Sequence, residues 1–265
     1  MSQSPNGSFR WPLPVTGAPY ERPSADVLEA LSSVSAATAC AILHHLGVRR
    51  TAMLGPAPLR PGQRVVGSAL TLQFMPQRED IASGVDQEHI ERHTALWAAL
   101  NAVRDGDVLA VQAYASAESG CLGEMLVQHF RNRGGAGIVV DGRIRDTGKV
   151  RASGVPIWAT GSTPCFSSQT ELFPWGYEVP IACGAVLVLP GDIVIADDDG
   201  AVVVPASLAW EVARQAGDHE EWEAFSRERI AAGGSLDRYY PLTAEARLEF
   251  DQWKQQGTTP RSAAQ

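Results

Sequence analysis

The sequence predicts an α/β body with a mixed central sheet, N-terminal helices and a long C-terminal helix. Three observations carry that prediction. Strand-like apolar runs alternate with helical stretches between residues 64 and 160, as in βαβ units. Short β-branched runs joined by tight turns follow at 185–204, the pattern of antiparallel hairpins. A continuous helical pattern then runs from Ser207 to about Ala232.

The elements follow in order. Residues 1–23 are rich in Pro, Ser and Gly and read as a flexible arm, disordered or wrapped on a neighbour. The body is expected over 24–240. Ser24 reads as the N-cap of a helix over Ala25–Leu31, and a second helix over Ser35–Leu46 stops at Gly47. Prolines 56, 58 and 61 mark a loop before a strand at Arg64–Phe74. Helical periodicity at Val85–Val103 turns at Asp105-Gly106-Asp107 into a strand at Val108–Tyr114. A loop and helix over Gly120–Arg133 lead to a buried strand at Ile138–Val140, then a short helix to Ser153 and a strand at Gly154–Thr160. The hairpin strands are Ala185–Leu189, Ile193–Ala196 and Ala201–Val204. A helical tail occupies 241–265, with its helix at 243–255.

Composition excludes several classes. A net charge of −8 is the wrong sign for tracking a phosphate backbone, so no nucleic acid is expected as a partner. The start lacks an apolar signal core and no apolar run reaches a membrane span, so a cytoplasmic protein with no membrane partner is expected. Cys40, Cys121, Cys165 and Cys183 are scattered, against both a disulfide framework and a thiolate zinc site. Only Lys149 and Lys254 are lysines, so imine chemistry has two candidates at most.

Most motif-like clusters have plain readings. Gly134-Gly135-Ala136-Gly137 closes a helix and opens a strand, the reverse of a dinucleotide-binding turn. His89 and His93 are four apart, but no third ligand accompanies them, and they read as a solvated helix face. Asp197-Asp198-Asp199-Gly200 reads as a hairpin turn because the alternation of a calcium loop is missing. Arg145-Asp146 differs, since both stand at the exit of a buried strand. The carboxylate there could bind a hard cation while the guanidinium clamps a substrate carboxylate or an oxyanion. On spacing alone Asp146 could equally be a helix N-cap with Arg145 an exposed charge.

Gly123-Glu124-Met125-Leu126, followed by Gly137-Ile-Val-Val-Asp-Gly-Arg-Ile-Arg-Asp146, resembles the signature of one family. It is that of the regulator of ribonuclease activity A (RraA) and the class II 4-hydroxy-4-methyl-2-oxoglutarate/4-carboxy-4-hydroxy-2-oxoadipate aldolases. Glu124 takes the anchor position, twenty-one places before Arg145, and the stretch Pro190–Pro205 extends the resemblance to about residues 30–240. The resemblance implies a swivelling β/β/α-type body that assembles as a homotrimer or homohexamer. It implies a lyase acting on a small 2-oxo or hydroxy carboxylate, with Asp146 holding Mg2+ or Mn2+ and Arg145 contacting the pyruvyl oxygens. Glu124 would order metal-bound waters, amides of Gly123, Glu124, Met125 and Leu126 would grip the substrate carboxylate, and Glu220 or Glu221 would complete a neighbour's site. Elementary chemistry agrees: cleaving a bond next to pyruvate leaves an enolate that a divalent ion and Arg145 stabilise, and the scarcity of lysine favours that route over an imine.

Two departures stand out. The family usually has an acid where this chain has Lys149. Gln77–Asp80 and the tail Tyr239–Arg247 resemble a longer subgroup, some of whose members act as sugar-acid dehydratases, which makes dehydration an alternative reaction. The alternative of another class is a non-catalytic ribonuclease regulator.

Overall fold

The computed structural model describes residues 12–78, 92–166 and 171–255. The chain forms two compact units, Met1–Val212 and Ala213–Gln265.

In the first unit, β1 (Val15–Thr16) precedes helices α1 (Ala25–Leu31) and α2 (Ala36–His45). Short strands β2 (Ala52–Met53) and β3 (Ala57–Pro58) lead to the long strand β4 (Val65–Pro76). Then come α3 (Ala95–Ala102), β5 (Asp107–Gln112), α4 (Glu124–Asn132), β6 (Gly137–Ile144), α5 (Thr147–Ala152) and β7 (Ile157–Ser162). Five strands complete the set: β8 (Leu172–Tyr177), β9 (Ile181–Cys183), β10 (Val186–Val188), β11 (Ile193–Asp197) and β12 (Gly200–Val204). Helix α6 (Ala209–Ala231) is the long C-terminal helix the sequence predicts.

The sheet is mixed, in the order β2-β12-β11-β4-β5-β6-β7-β3, with β8 also on β4. Strands β4 to β7 are parallel and joined by helices, whereas β11, β12, β8, β2 and β3 pair antiparallel. The parallel strands bury both faces, which explains their nearly unbroken apolar runs. On one face Leu109, Val111, Ile138 and Val140 pack with Leu96 of α3, Phe130 of α4 and Val150 of α5. On the other, Val108, Ala110 and Val139 pack with the β9–β10 hairpin through Ile181, Cys183, Val186 and Val188. Alternation along β5 and β6 thus sends successive residues into two cores, giving hairpin, sheet and helix layers.

Three details depart from the sequence reading. The arm, expected to be flexible, lies on its own chain from residue 12: β1 pairs with β8, and Arg22 grips the fully buried Asp107 through two hydrogen bonds of 2.7 and 2.9 Å. Strand β6 does not end at Val140. Its register with β7 shifts between Val140 and Arg143, and the bulge carries the strand on to Ile144. The predicted helix at Val85–Val103 begins only at Ala95 and ends at Ala102: residues 92–94 form a turn and a bend, and 85–91 lie outside the described residues. The acidic turn has the predicted hairpin geometry and a further use, since Asp197 accepts the Ala36 N–H at the start of α2.

In the second unit, the end of α6 is followed by α7 (Leu236–Tyr239) and α8 (Ala244–Gln255). Phe225 is fully buried there, with the Phe250 ring 5.6 Å and the Trp253 ring 5.8 Å away. Arg238 and the Tyr239 hydroxyl both donate to Glu249.

Candidate active site

The polar residues that follow Val140 divide into two roles. Asp141 is buried and accepts N–H groups of Gly184 and Ala115, and burial pushes its carboxyl above the ordinary range. Gly142 lies so close to β5 that a Cβ there would sit 2.7 Å from the Ala113 methyl. Arg143 donates to the Ser162 carbonyl at 2.9 Å. These three anchor the bulge, and the chain then leaves the sheet at Arg145 and Asp146.

The stretch before α4 runs alongside that exit. Cys121 N–H donates to the Arg143 carbonyl (2.8 Å) and Arg145 N–H to the Leu122 carbonyl (2.9 Å), while Gly120 bridges both Arg143 and Phe166. The result places Gly123, the N-cap of α4, directly against Arg145 and Asp146. A Cβ on Gly123 would meet Asp146 Oδ2 at 2.6 Å and Arg145 Nε at 2.9 Å, so only glycine fits without moving them.

Asp146 occupies the N-cap position of α5, as the helix-start alternative requires, but it does not act as a cap. Its side chain makes no capping hydrogen bond, and its backbone is left-handed with φ at 55°. A non-glycine residue in that region is uncommon, although Asp tolerates it better than most. The carboxylate turns instead toward α4, accepting the Glu124 N–H at 3.3 Å with Arg145 Nε 3.7 Å away. The first amides of α4 have no intrahelical acceptors and carry the positive end of the helix dipole. The Arg145 guanidinium stands 5.7 Å over the Phe166 ring.

These groups border a cavity of about 200 Å³ that brings together all six residues predicted near the substrate, Gly123, Glu124, Met125, Leu126, Arg145 and Asp146. Glu220 and Glu221 belong to the second unit, where Glu221 pairs with Lys254. Sequence reasoning missed the rest of the lining, notably Leu96 and Trp97 of α3, Phe166, and Pro174 of β8. Cys121 also lines the cavity, but burial pushes its thiol up to about 12, so it is no thiolate nucleophile at neutral pH.

Both lysines are engaged by glutamates. Lys149 Nζ lies 2.8 Å from Glu124 Oε2, and Lys254 pairs with Glu221. Hydrogen bonding to Glu124, reinforced by its charge, raises the Lys149 pKa, and Glu221 does the same for Lys254. Both shifts run upward, the opposite of the lowering that activates a lysine for imine formation.

Among the described residues no group of three or more His, Cys, Asp or Glu is arranged to hold a metal ion. A magnesium-like ion does not need one, since it keeps several waters and is commonly bound through one or two carboxylates together with substrate oxygens. Asp146, with hard oxygen donors at the cavity wall and nearly half exposed, fits that demand. No single described helix is long and apolar enough to cross a membrane.

A mixed sheet under helices thus carries a carboxylate and a guanidinium at a strand exit, facing a helix N-terminus. The RraA-like family model, described as Aldolase/RraA, matches residues 24–203, and the chain belongs to that family. A protein of Halalkalibacterium halodurans with the provisional name 4-hydroxy-4-methyl-2-oxoglutarate aldolase is 31% identical over 186 residues, 68% of this chain and 81% of that protein. The crystal structure of Streptomyces coelicolor RraAS2, described as an unusual member of the RNase ES inhibitor RraA protein family, is 60% identical. It matches with a TM-score of 0.73 over 79% of this chain and 99% of that one. An uncharacterized protein from Pseudomonas syringae pv. tomato matches at 26% identity and a TM-score of 0.69, over 83% of this chain and all of that one.

Proposed function

We propose that the protein is a divalent-metal-dependent lyase that breaks the bond next to a pyruvate-type unit of a small 2-oxo or hydroxy carboxylate. The observation that carries this reading is Asp146. It is held in a left-handed conformation at a helix start it does not cap, with its carboxylate turned to the cavity. Strained residues of this kind cluster at functional sites.

Asp146 would hold Mg2+ or Mn2+, with Glu124 beside it to order water. A bound divalent ion would supply Lewis acidity toward the substrate's carboxylate and keto oxygens. The Met125 and Leu126 amides at the start of α4 would receive the carboxylate, because helix geometry leaves their N–H groups without intrahelical partners while the Glu124 N–H goes to Asp146. Arg145 presents a planar fork to the oxygen on which negative charge develops as the bond breaks, and stabilises that charge more than the ground state. Dehydration of a sugar acid, the alternative reaction, would draw on the same residues with hydroxide as the leaving group.

Support also comes from the 31% identical relative named for an aldolase. The proposed assembly is a homotrimer or homohexamer in which Glu220 or Glu221 reaches a neighbour's site, and sedimentation of a fully active monomer would reject it. A metal-supplemented screen with oxaloacetate, hydroxy-oxo-diacids and aldonic acids tests the reaction. Turnover should vanish with chelator and return with magnesium or manganese, and full activity in excess chelator would overturn the reading.

The 60% identity to RraAS2 favours a second reading, a ribonuclease regulator. Regulation requires a surface and makes no demand on the Asp146 carboxylate. Inhibition of an RNase E-type nuclease that survives Asp146→Asn, with no turnover of any screened acid, would establish that reading instead.

A further inference from the structure

Resting on the lyase reading, we infer that Phe166 is a positioning residue for Arg145. Its ring and a two-glycine trough hold the guanidinium in place and leave both terminal nitrogens for the substrate.

An arginine that stabilises an oxyanion through its fork needs a fixed plane and vacant donors. An ion pair strong enough to fix the plane would occupy those donors. Packing fixes it without doing so. A Cβ on Gly120 would stand 3.4 Å from Arg145 Cβ and 2.4 Å from the Cys165 carbonyl oxygen. A Cβ on Gly123 would stand 3.2 Å from Arg145 Cγ and 2.9 Å from its Nε. The arginine stem therefore lies against bare backbone at two glycines three residues apart. The Phe166 ring centroid is 5.7 Å from the guanidinium carbon, within reach of a cation–π attraction, which engages the ring face and takes up no N–H donor. Among the described residues the sole ion pair of Arg145 runs through Nε, to Asp146 at 3.7 Å, and Nη1 and Nη2 have no hydrogen-bond partner.

Phe166 is itself placed by backbone. The chain leaving β7 runs beside the exit of β6, with the Thr163 N–H donating to the Ile144 carbonyl at 2.9 Å. Gly120 N–H then donates to the Cys165 carbonyl at 3.1 Å, and Gly120 and Phe166 form a parallel bridge. All of these groups belong to one chain, so the arrangement stands whether or not a neighbour completes the cavity.

Two readouts on the full-length protein test the idea. Phe166→Leu removes the π face at a partly exposed position and keeps apolar volume, whereas Phe166→Tyr keeps the face. In metal-free protein, 2,3-butanedione modification followed by peptide mapping reports how firmly Arg145 is held. Arg145 should react about fivefold faster in Phe166→Leu, and Phe166→Tyr should restore the slower rate. With Mn2+ present, calorimetry with oxalate completes a double-mutant cycle against Arg145→Ala. Phe166→Leu should weaken oxalate about fivefold when Arg145 is present and hardly at all when it is Ala, with Mn2+ affinity unchanged. Equal weakening in both backgrounds, or unchanged Arg145 reactivity in Phe166→Leu, overturns the inference. A wild-type protein that binds no oxalate removes the lyase reading, and the reactivity of Arg145 still decides whether Phe166 holds it.

Discussion

Replacing Gly123 by alanine separates the site from the fold in a single step. The backbone of Gly123, with φ at −122°, accepts any L-residue, so the new methyl introduces no backbone strain. It does introduce contacts of 2.6 Å with Asp146 Oδ2, 2.9 Å with Arg145 Nε and 3.2 Å with Arg145 Cγ. The first two are shorter than real Cβ contacts, so both side chains must move, by roughly half an ångström to one ångström. Both side chains are close to half exposed and can swing toward solvent, so the fold absorbs the change. Loss of a glycine N-cap to alanine costs on the order of 1 kcal/mol, a shift of about 2–4 °C in Tm for a chain of this size. Misplacing reactive groups by about 1 Å costs about 100-fold in rate, or about 2.7 kcal/mol of barrier. Single-turnover cleavage, Mn2+ calorimetry and a thermal melt on the same preparation measure all three. Gly148→Ala is the control, because a Cβ there meets nothing within 4 Å and α5 gains a better helix former. Wild-type turnover and metal affinity in Gly123→Ala would refute the reasoning, as would a melt low enough to account for the loss.

Asp146→Asn should lower metal affinity and turnover together while Tm hardly moves, since the carboxylate does not cap α5, the Asn amide oxygen can still accept the Glu124 N–H, and Asn also accepts a left-handed backbone; a loss of stability without a loss of metal would restore the helix-start reading. Arg145→Lys should lose about 2–4 kcal/mol of transition-state stabilisation in kcat while metal affinity, read by calorimetry, stays near wild type. Arg22→Ala leaves the fully buried Asp107 carboxylate without its guanidinium and should destabilise the first unit by about 3–5 kcal/mol in urea titration, whereas a change below about 1 kcal/mol would show that the arm is not anchored there. Glu249 lies below the ordinary carboxyl value of 4.5, chiefly because Arg238 donates to it, so its contribution is present above pH 4.5 and is lost as pH falls through the lower folded value. The near-ultraviolet dichroism of the Phe225–Trp253 cluster should therefore weaken on acidification, and Glu249→Gln should remove that transition.

The parts of the fold legible in the sequence are those that one local pattern determines. The parallel strands announce themselves because both faces are buried, and the β11–β12 hairpin because its turn sits between two β-branched runs. Strand β8, Leu172-Phe-Pro-Trp-Gly-Tyr177, escapes because Pro174 and Gly176 break any alternation. It forms all the same, with its register against β4 shifting between Gln73 and Phe74 opposite those residues and with β1 alongside. The site follows the same division. Arg145 and Asp146 are legible from their place at a strand exit, whereas Glu124 is legible only through the family resemblance that sets it twenty-one places earlier. The apolar wall is not, because Trp97, Phe166 and Pro174 come from three separate segments and no periodicity says which of them faces a cavity. The left-handed turn at Asp146 is also hidden: the sequence offers Asp as a cap, and only the backbone reveals that its carboxylate faces the other way.

Lys149 bears most directly on the chemistry. A lysine beside a pyruvate-type site ordinarily raises the imine route, and the sequence leaves that route two candidates. The structure gives each lysine a glutamate partner, so in the proposed lyase activation of the carbonyl would fall to Arg145, the α4 amides and whatever Asp146 binds. The same ion pair changes the charge balance of the cavity. Glu124 is offset by Lys149 and Asp146 lies beside Arg145, so the charged end comes close to neutral before a substrate arrives. A divalent cation on Asp146 would therefore supply the positive charge that a chelating 2-oxo acid requires, and without it the site has little net attraction for an anion. Metal and substrate are then expected to bind cooperatively, each completing the other's charge, which is the physical reason to run every ligand measurement with the ion present.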